Sequence, residues 1–190
     1  MGTYFYSNYL YENTKSSKVL AIPDSGLFLV DYVSPLAGFP VIKMAGTPLI
    51  KMVNVEETGF PIPECIAENQ KDILECYTAS NLTKYFKAPM FLVESPYDAY
   101  SIENIVYTKC QENQRPPFSI QNCNQTTRDA IEEYRKGVFE AIKKIKSDRK
   151  NIGLWAPACA QHGFTDTDTF TDKNFRIPSG EGSMVSEAIQ

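Results

Sequence analysis

The sequence predicts an α/β fold with a mostly parallel sheet, formed as a single domain over residues 1–190. Short continuous apolar runs at residues 19–22 and 90–93 and within 151–159 are typical of buried strands. A strongly amphipathic helix is predicted between the second and third runs. A strand, a helix and a strand in this order form a crossover unit of a parallel sheet. The 43% apolar content is sufficient for a sizeable core.

The first part of the chain predicts a helix over residues 1–14 and a short buried strand over 19–22, which Pro23 ends. Residues 34–87 then mix proline, glycine and two cysteines, with a helix predicted around 66–76. This mixed composition is typical of a cap or an insertion, and we expect 34–87 to form one.

The clearest helix signal covers residues 126–150. Its apolar residues step by three or four positions, at Ile131, Tyr134, Val138, Ile142 and Ile145. Thr126 or Thr127 is predicted to cap it, with acidic residues in its first turn and basic residues in its last. The strand within 151–159 follows directly, so the helix is expected to return the chain to the sheet.

The crossover unit carries two polar side chains at strand ends. Asp98 lies in the loop after the run 90–93, and His162, the only histidine, lies in the loop after 151–159. Parallel strands bring such loops to one edge of the sheet, where ligands bind. A histidine oriented by a carboxylate can act as a general base. The alternative is that His162 is an ordinary hydrogen-bonded residue.

The order acid then histidine is that of α/β-hydrolases, in which a serine precedes both. Two residues of this chain, Ser25 and Cys159, are alternative candidates for the nucleophile. Ser25 lacks the leading glycine of a nucleophile elbow, and Cys159 lacks the electropositive helix terminus that activates a thiol. Both are expected to have other roles, and Ser25 is expected to line the substrate pocket.

The overall charge and composition exclude several classes of partner. The net charge is −4 and no basic arm is present, so neither nucleic acid nor an anionic membrane is an expected partner. No apolar stretch reaches the roughly 20 residues of a membrane span. One histidine and scattered cysteines cannot form a catalytic zinc site, and no metal or cofactor is expected. The sequence gives no indication of an oligomeric state.

Other features favour an extracellular protein. Asn81 and Asn124 begin N-x-[ST] glycosylation sequons, and the five cysteines include no CxxC pair. Short loops would be closed by disulfides Cys65–Cys76 and Cys110–Cys123, which leave Cys159 for a partner outside the chain. The alternatives are chance sequons and buried free thiols.

Four stretches resemble consecutive blocks of the pectin acetylesterase family, which includes the Notum carboxylesterases: "YSNYLYENTKSSKVLAIPDSGLFL", "PMFLVESPYDAYSIENI", "PPFSIQNCNQTTRDAIEEYRKGVFEAI" and "GLWAPACAQHGFTD". The resemblance implies a three-layer α/β-hydrolase-like fold with a Ser-Asp-His triad. It places the acid on Asp98, the base on His162, and the acyl pocket at Phe28 and Tyr77. The alternative for Phe28 and Tyr77 is that they are ordinary core aromatics. The substrate it implies is acetylated polysaccharide or another acyl ester.

No G-x-S-x-G elbow occurs in residues 1–190. The resemblance places it about four residues before Met1. A helix capped by Ser183 is predicted to begin near the other end, and we expect the domain to be incomplete at both ends. The sequence therefore predicts a carboxylic ester hydrolase that deacetylates polysaccharide through a serine upstream of this chain. The alternative is a truncated or inactive relative that acts as a binding or structural module.

Overall fold

The computed structural model describes residues 2–15, 18–52, 54, 62–110, 118–166, 168–173, 176 and 183–189. Two parallel strands, β1 (Met90–Val93) and β2 (Ile152–Trp155), form the sheet of this part of the chain. The α-helices span Gly2–Asn13, Val41–Met52, Pro63–Glu68, Ala79–Leu82, Ala99–Asn104, Gln125–Asp148 and Val185–Ala188. Short 3₁₀ helices span Ile73–Tyr77, Thr83–Tyr85 and Asp168–Phe170. The chain is therefore an α/β protein with a parallel sheet, as predicted.

A third segment extends the sheet beyond β1. Residues 21–25, called here the bridge segment, form parallel bridges from Ala21 to Met90 and from Asp24 to Val93. Pro23 accepts a hydrogen bond from Val93 but has no N–H of its own to donate, so the ladder is interrupted. The strand predicted at 19–22 is consequently shifted toward the C-terminus and reduced to isolated bridges. The bridge segment, β1 and β2 all end at the same edge of the sheet.

The helix Gln125–Asp148, called here the long helix, connects β1 to β2. It buries an apolar stripe made of Ala130, Ile131, Tyr134, Val138, Ile142 and Ile145. The predicted caps are wrong, because the helix begins earlier: Asn124 is the N-cap and accepts a hydrogen bond from the Thr127 amide (2.9 Å). No acidic residue lies in the first turn. The spacing of three or four between apolar residues was sufficient to predict this helical connection from β1 to β2.

The helix predicted within residues 34–87 is interrupted in the structure. The helix predicted around 66–76 is broken into Pro63–Glu68 and Ile73–Tyr77, because the Asn69 side chain bonds back to the Cys65 carbonyl (2.9 Å) where the first helix ends. Buried residues of this stretch share one core cluster with β1 and the long helix: Ile62, Cys65, Ile66, Ile73, Cys76, Ala79, Leu82 and Phe86.

Smaller features complete the core. A second buried cluster contains Val93, Trp155, Phe164 and Val185. Met184, not Ser183, is the N-cap of the last helix, and the Ser183 carbonyl instead accepts a hydrogen bond from the Trp155 indole (3.3 Å). Within the described residues, no helix combines the length and apolar character that a membrane crossing requires.

Candidate active site

Asp98 is fixed at the carboxyl end of β1. It is 1% exposed, and it is the N-cap of the helix Ala99–Asn104, with Oδ1 accepting a hydrogen bond from the Ser101 amide (2.7 Å). Its own amide donates to the Ser95 carbonyl (3.0 Å), which closes the turn after the strand. An aspartate at an N-cap is stabilised by the helix amides and dipole. The fold therefore holds this carboxylate in one orientation.

His162 lies in the histidine loop (residues 156–166), which follows β2. Its Nδ1 atom is 2.7 Å from Asp98 Oδ2, while its side chain remains 43% exposed. The hydrogen bond to Asp98 is the largest cause that raises the pKa of His162 above its usual value; burial opposes it, and the charges of Asp98, Asp24 and Asp166 add to it. With Nδ1 directed at the carboxylate, Nε2 is the nitrogen through which this imidazole can exchange a proton with a ligand.

An aromatic contact connects the imidazole to an apolar pocket. The Tyr100 ring centroid lies 5.2 Å from that of His162 and 5.6 Å from that of Phe28. Phe28 and Tyr77 line one cavity of about 260 Å³, together with Val30, Ile42, Gly46, Leu49, Ile50 and Leu74. The two residues expected in the acyl pocket therefore line the same cavity. Tyr100 was not predicted from the sequence, although its position two residues after Asp98 was a usable signal.

Ser25 and its neighbour lie against the histidine loop. Ser25 is 3% exposed, its hydroxyl donates to Asp24 Oδ1 (2.9 Å), and it accepts from the Gly163 amide (3.0 Å). Asp24 Oδ2 accepts from the Phe164 and Thr165 amides (both 2.7 Å). Asp24 was not predicted as a site residue; its signal in the sequence was its place at a strand end on the same edge.

Glu94 is a second buried carboxyl group near the pair Asp98 and His162. It is 1% exposed, and its Oε2 accepts from the Leu27 amide (2.9 Å). Burial is the main cause that raises the pKa of Glu94 well above its usual value, and the charge of Asp98 acts in the same direction. Within the described residues, no group of three or more His, Cys, Asp and Glu side chains is arranged to hold a metal ion.

The cysteines form the two disulfides expected from the sequence, Cys65–Cys76 and Cys110–Cys123. Cys159 is a free, half-buried thiol in the histidine loop. Burial raises the pKa of Cys159 to about 12. Because the thiolate is the reactive form, this cysteine is a poor nucleophile at neutral pH.

The two glycosylation sequons have different environments. Asn124 is exposed at the start of the long helix. Asn81 is half-buried, donates to the Glu75 carboxylate and accepts from Lys144 Nζ (3.1 Å). Thr83, the threonine of the Asn81 sequon, is fully buried. Asn124 is therefore the more accessible of the two.

Comparison with known proteins agrees with the resemblance read from the sequence. A family model described as Pectinacetylesterase matches residues 1–190, the whole length of the chain. No solved structure matches the chain. The family match extends over the bridge segment, β1, the long helix and the histidine loop alike. The chain belongs to the pectinacetylesterase family.

Proposed function

We propose that this chain supplies the acid and the base of a carboxylic ester hydrolase that removes acetyl groups from polysaccharide. The observation that carries the proposal is the 2.7 Å hydrogen bond between His162 Nδ1 and a buried carboxylate of Asp98. The family supports an esterase. The proposal includes a three-layer α/β-hydrolase-like fold and a nucleophilic serine outside residues 1–190, in a G-x-S-x-G elbow.

The proposed reaction has two halves. The serine Oγ attacks the ester carbonyl carbon and transfers its proton to Nε2 of His162. The tetrahedral intermediate collapses, and Nε2 returns this proton to the oxygen of the leaving sugar, which leaves an acyl-enzyme. Water then attacks the acyl carbon, again with His162 as base, and releases acetate and free serine.

Asp98 has a supporting role in both halves. Its carboxylate accepts the Nδ1–H proton, which holds the imidazole in the tautomer that has a lone pair on Nε2. It also stabilises the imidazolium formed when Nε2 is protonated. The raised pKa of His162 reflects this stabilisation, and a stronger base takes the serine proton more readily.

The pocket lined by Phe28 and Tyr77 is proposed to receive the acyl side of the ester. A second candidate substrate, an ester of a longer acyl chain, is favoured by one observation: the cavity of about 260 Å³ is bounded by apolar side chains and is larger than an acetyl group needs. Each buried CH₂ group contributes about 0.8 kcal/mol, or about fourfold in kcat/KM. A series of p-nitrophenyl esters from acetate to octanoate separates the candidates, because kcat/KM falls with length for an acetylesterase and rises for the alternative.

We further propose that the protein acts outside the cell. Two disulfides are typical of an oxidising compartment. Asn124 offers an exposed glycosylation sequon.

The test uses the complete gene product, made in an oxidising compartment. We expect acetate release from acetylated pectin and hydrolysis of p-nitrophenyl acetate. His162→Ala should lower kcat at least about a thousandfold, because the base is lost. Asp129→Asn, an exposed change on the long helix, is the control.

Two outcomes would contradict the proposal. A kcat of His162→Ala within tenfold of the parent enzyme would remove this residue from the mechanism. A folded, complete gene product that hydrolyses no ester would instead favour the binding or structural module.

A further inference from the structure

The histidine loop is attached to the rest of the protein on both sides of His162. Before it, the Ser95 hydroxyl lies within hydrogen-bond distance of the Pro157 carbonyl (3.1 Å) and the Cys159 carbonyl (2.5 Å), and its single proton can be donated to either oxygen. After it, the next three residues are bound by Asp24 and Ser25, which are 138 to 141 positions away in the sequence. The second attachment has no part in the proposed chemistry, so its role is open.

Asp24 makes an unusually complete set of contacts for a half-buried carboxylate. Oδ2 accepts from the Phe164 amide (2.7 Å), the Thr165 amide (2.7 Å) and the Thr165 hydroxyl (2.8 Å). Oδ1 accepts from the Ser25 hydroxyl, which in turn accepts from the Gly163 amide. Hydrogen bonds to an ionised acceptor are about twice as strong as neutral ones. Three consecutive backbone amides after His162 are thereby bound.

The backbone on both sides of this contact has a restricted conformation. Ser25 has φ +52° and Gly163 has φ +77°. A non-glycine residue in the left-handed region persists only where its surroundings hold it there. The surroundings do so here, because the Ser25 amide donates to the Val93 carbonyl (2.9 Å) while its hydroxyl binds the histidine loop.

Asp24 and Ser25 also connect the loop that carries His162 to the end of β1, the strand that Asp98 follows. Asp24 is bridged to Val93, the last residue of β1, and Asp98 lies in the turn that follows the same strand. The position of His162 relative to Asp98 therefore depends on how the bridge segment docks at the end of β1. A shift of this segment would move the imidazole and leave the carboxylate where it is.

We propose that Asp24, assisted by Ser25, is a positioning residue that holds the imidazole of His162 against Asp98. Asp24 binds two of the three amides after His162, and Ser25 binds the third. Asp24 acts through the histidine loop and not on the ester. This inference rests on the proposed ester hydrolysis for its kinetic consequences, whereas its structural consequence is independent of any activity.

The negative charge of Asp24 also acts on the pKa of His162, in addition to the hydrogen bonds that Asp24 makes to the histidine loop. The acidic groups that raise the pKa of His162 are Asp98, Asp24 and Asp166, and Glu94 is a further acid beside Asp98. Removing the charge of Asp24 alone therefore lowers the pKa of His162. His162 acts as a base only in its neutral form. The acid limb, which is the fall in rate on the acid side of the pH profile, therefore moves to lower pH.

The test compares Asp24→Ala, Asp24→Asn and Ser25→Ala in the complete enzyme, with Asp31→Asn as control. Asp31 is an exposed aspartate that pairs with Lys43 (2.8 Å). We expect Asp24→Ala to lower kcat about 30-fold with KM within about twofold, because a misplaced base costs rate more than binding. Asparagine keeps an oxygen for the loop amides, so Asp24→Asn should recover most of kcat while the acid limb moves to lower pH. Ser25→Ala should show a smaller loss.

A second measurement does not need activity. In the proton NMR spectrum, the Nδ1–H proton shared by His162 and Asp98 should give a downfield signal in the parent protein, Asp31→Asn and Asp24→Asn. Exchange should broaden or remove it in Asp24→Ala. If the parent protein shows the signal but cleaves no ester, the proposed function fails and the positioning role is still decided by this comparison.

Three results would overturn the inference. The first is a kcat of Asp24→Ala within twofold of the parent enzyme. The second is a defect of Asp24→Ala that is confined to KM, and the third is a downfield signal that is unchanged in this variant. If Asp24→Ala does not fold, the other two variants decide. An acid limb that does not move in Asp24→Asn refutes the role of the charge, and a downfield signal unchanged in Ser25→Ala refutes the tether.

Discussion

Replacing Asp98 by asparagine separates its structural role from its proposed catalytic role. The carboxylate accepts two hydrogen bonds of 2.7 Å, one from the Ser101 amide through Oδ1 and one from His162 Nδ1 through Oδ2. Asparagine has one accepting oxygen and one donating NH₂ group. It can therefore accept only one of these bonds, and the structure determines which one.

The Ser101 amide is a fixed donor, whereas the imidazole can change tautomer. If the asparagine oxygen faced His162, its NH₂ group would meet the Ser101 N–H, two donors in a buried site, at a cost of about 1 to 3 kcal/mol. If the oxygen faces Ser101, the NH₂ group donates to Nδ1 and the imidazole proton moves to Nε2. The second arrangement satisfies every group, so Asp98→Asn should keep the helix cap and lose the lone pair on Nε2.

We expect Asp98→Asn to lower kcat by about 10⁴, the size of the tautomer effect in serine proteases, which corresponds to about 5 kcal/mol of transition-state stabilisation. The free energy of unfolding should change by less than about 0.5 kcal/mol, because asparagine caps helices as well as aspartate does. Asp98→Ala should lose both properties, with a further loss of stability of about 1 to 3 kcal/mol from the unsatisfied Ser101 amide.

The assay pairs steady-state hydrolysis of p-nitrophenyl acetate with urea unfolding of the same preparations of the complete enzyme. Asp129→Asn, an exposed substitution, controls for the loss of one negative charge. An Asp98→Asn enzyme that retains a tenth or more of the parent kcat would refute the tautomer argument. Equal stabilities of Asp98→Asn and Asp98→Ala would refute the capping argument.

Three further predictions follow from the same structure. The hydrogen bond to Asp98 raises the pKa of His162, so kcat/KM should fall on the acid side with a midpoint above pH ~6.5; a lower midpoint contradicts this. Arg149 donates to the Phe86 carbonyl (2.6 Å) and the Ala88 carbonyl (3.0 Å). Arg149→Met should therefore lower the free energy of unfolding, measured by urea titration, by about 2 to 4 kcal/mol. The exposed control Lys146→Met should change it by less than about 0.5 kcal/mol. Peptide mass spectrometry of the protein made in the secretory pathway should find a glycan on Asn124, whose side chain is exposed and whose Oδ1 accepts the cap hydrogen bond. Asn81 should remain unmodified because its amide is bound to Glu75, and a glycan on Asn81 contradicts this.

The regular elements were predictable where one signal dominates. The apolar run that predicts β1 matches Met90–Val93, and the period of the long helix locates its buried stripe. Its cap was misassigned because Asn124, Thr126 and Thr127 all have capping side chains, and only the observed start of the helix distinguishes them. The strand before Pro23 was misplaced because a segment that pairs only through isolated bridges leaves a weak pattern in the sequence.

Asp98 and His162 were predictable as a pair because strand ends of a parallel sheet converge on one edge, and because the chain has a single histidine. Asp24 stands at the same edge, yet its partners are backbone amides, which every residue except proline carries. No residue type in the histidine loop therefore indicates that an aspartate 140 positions away binds its amide. Groups that react leave a signature in the sequence, whereas groups that hold a loop through its backbone become visible only when the fold is known.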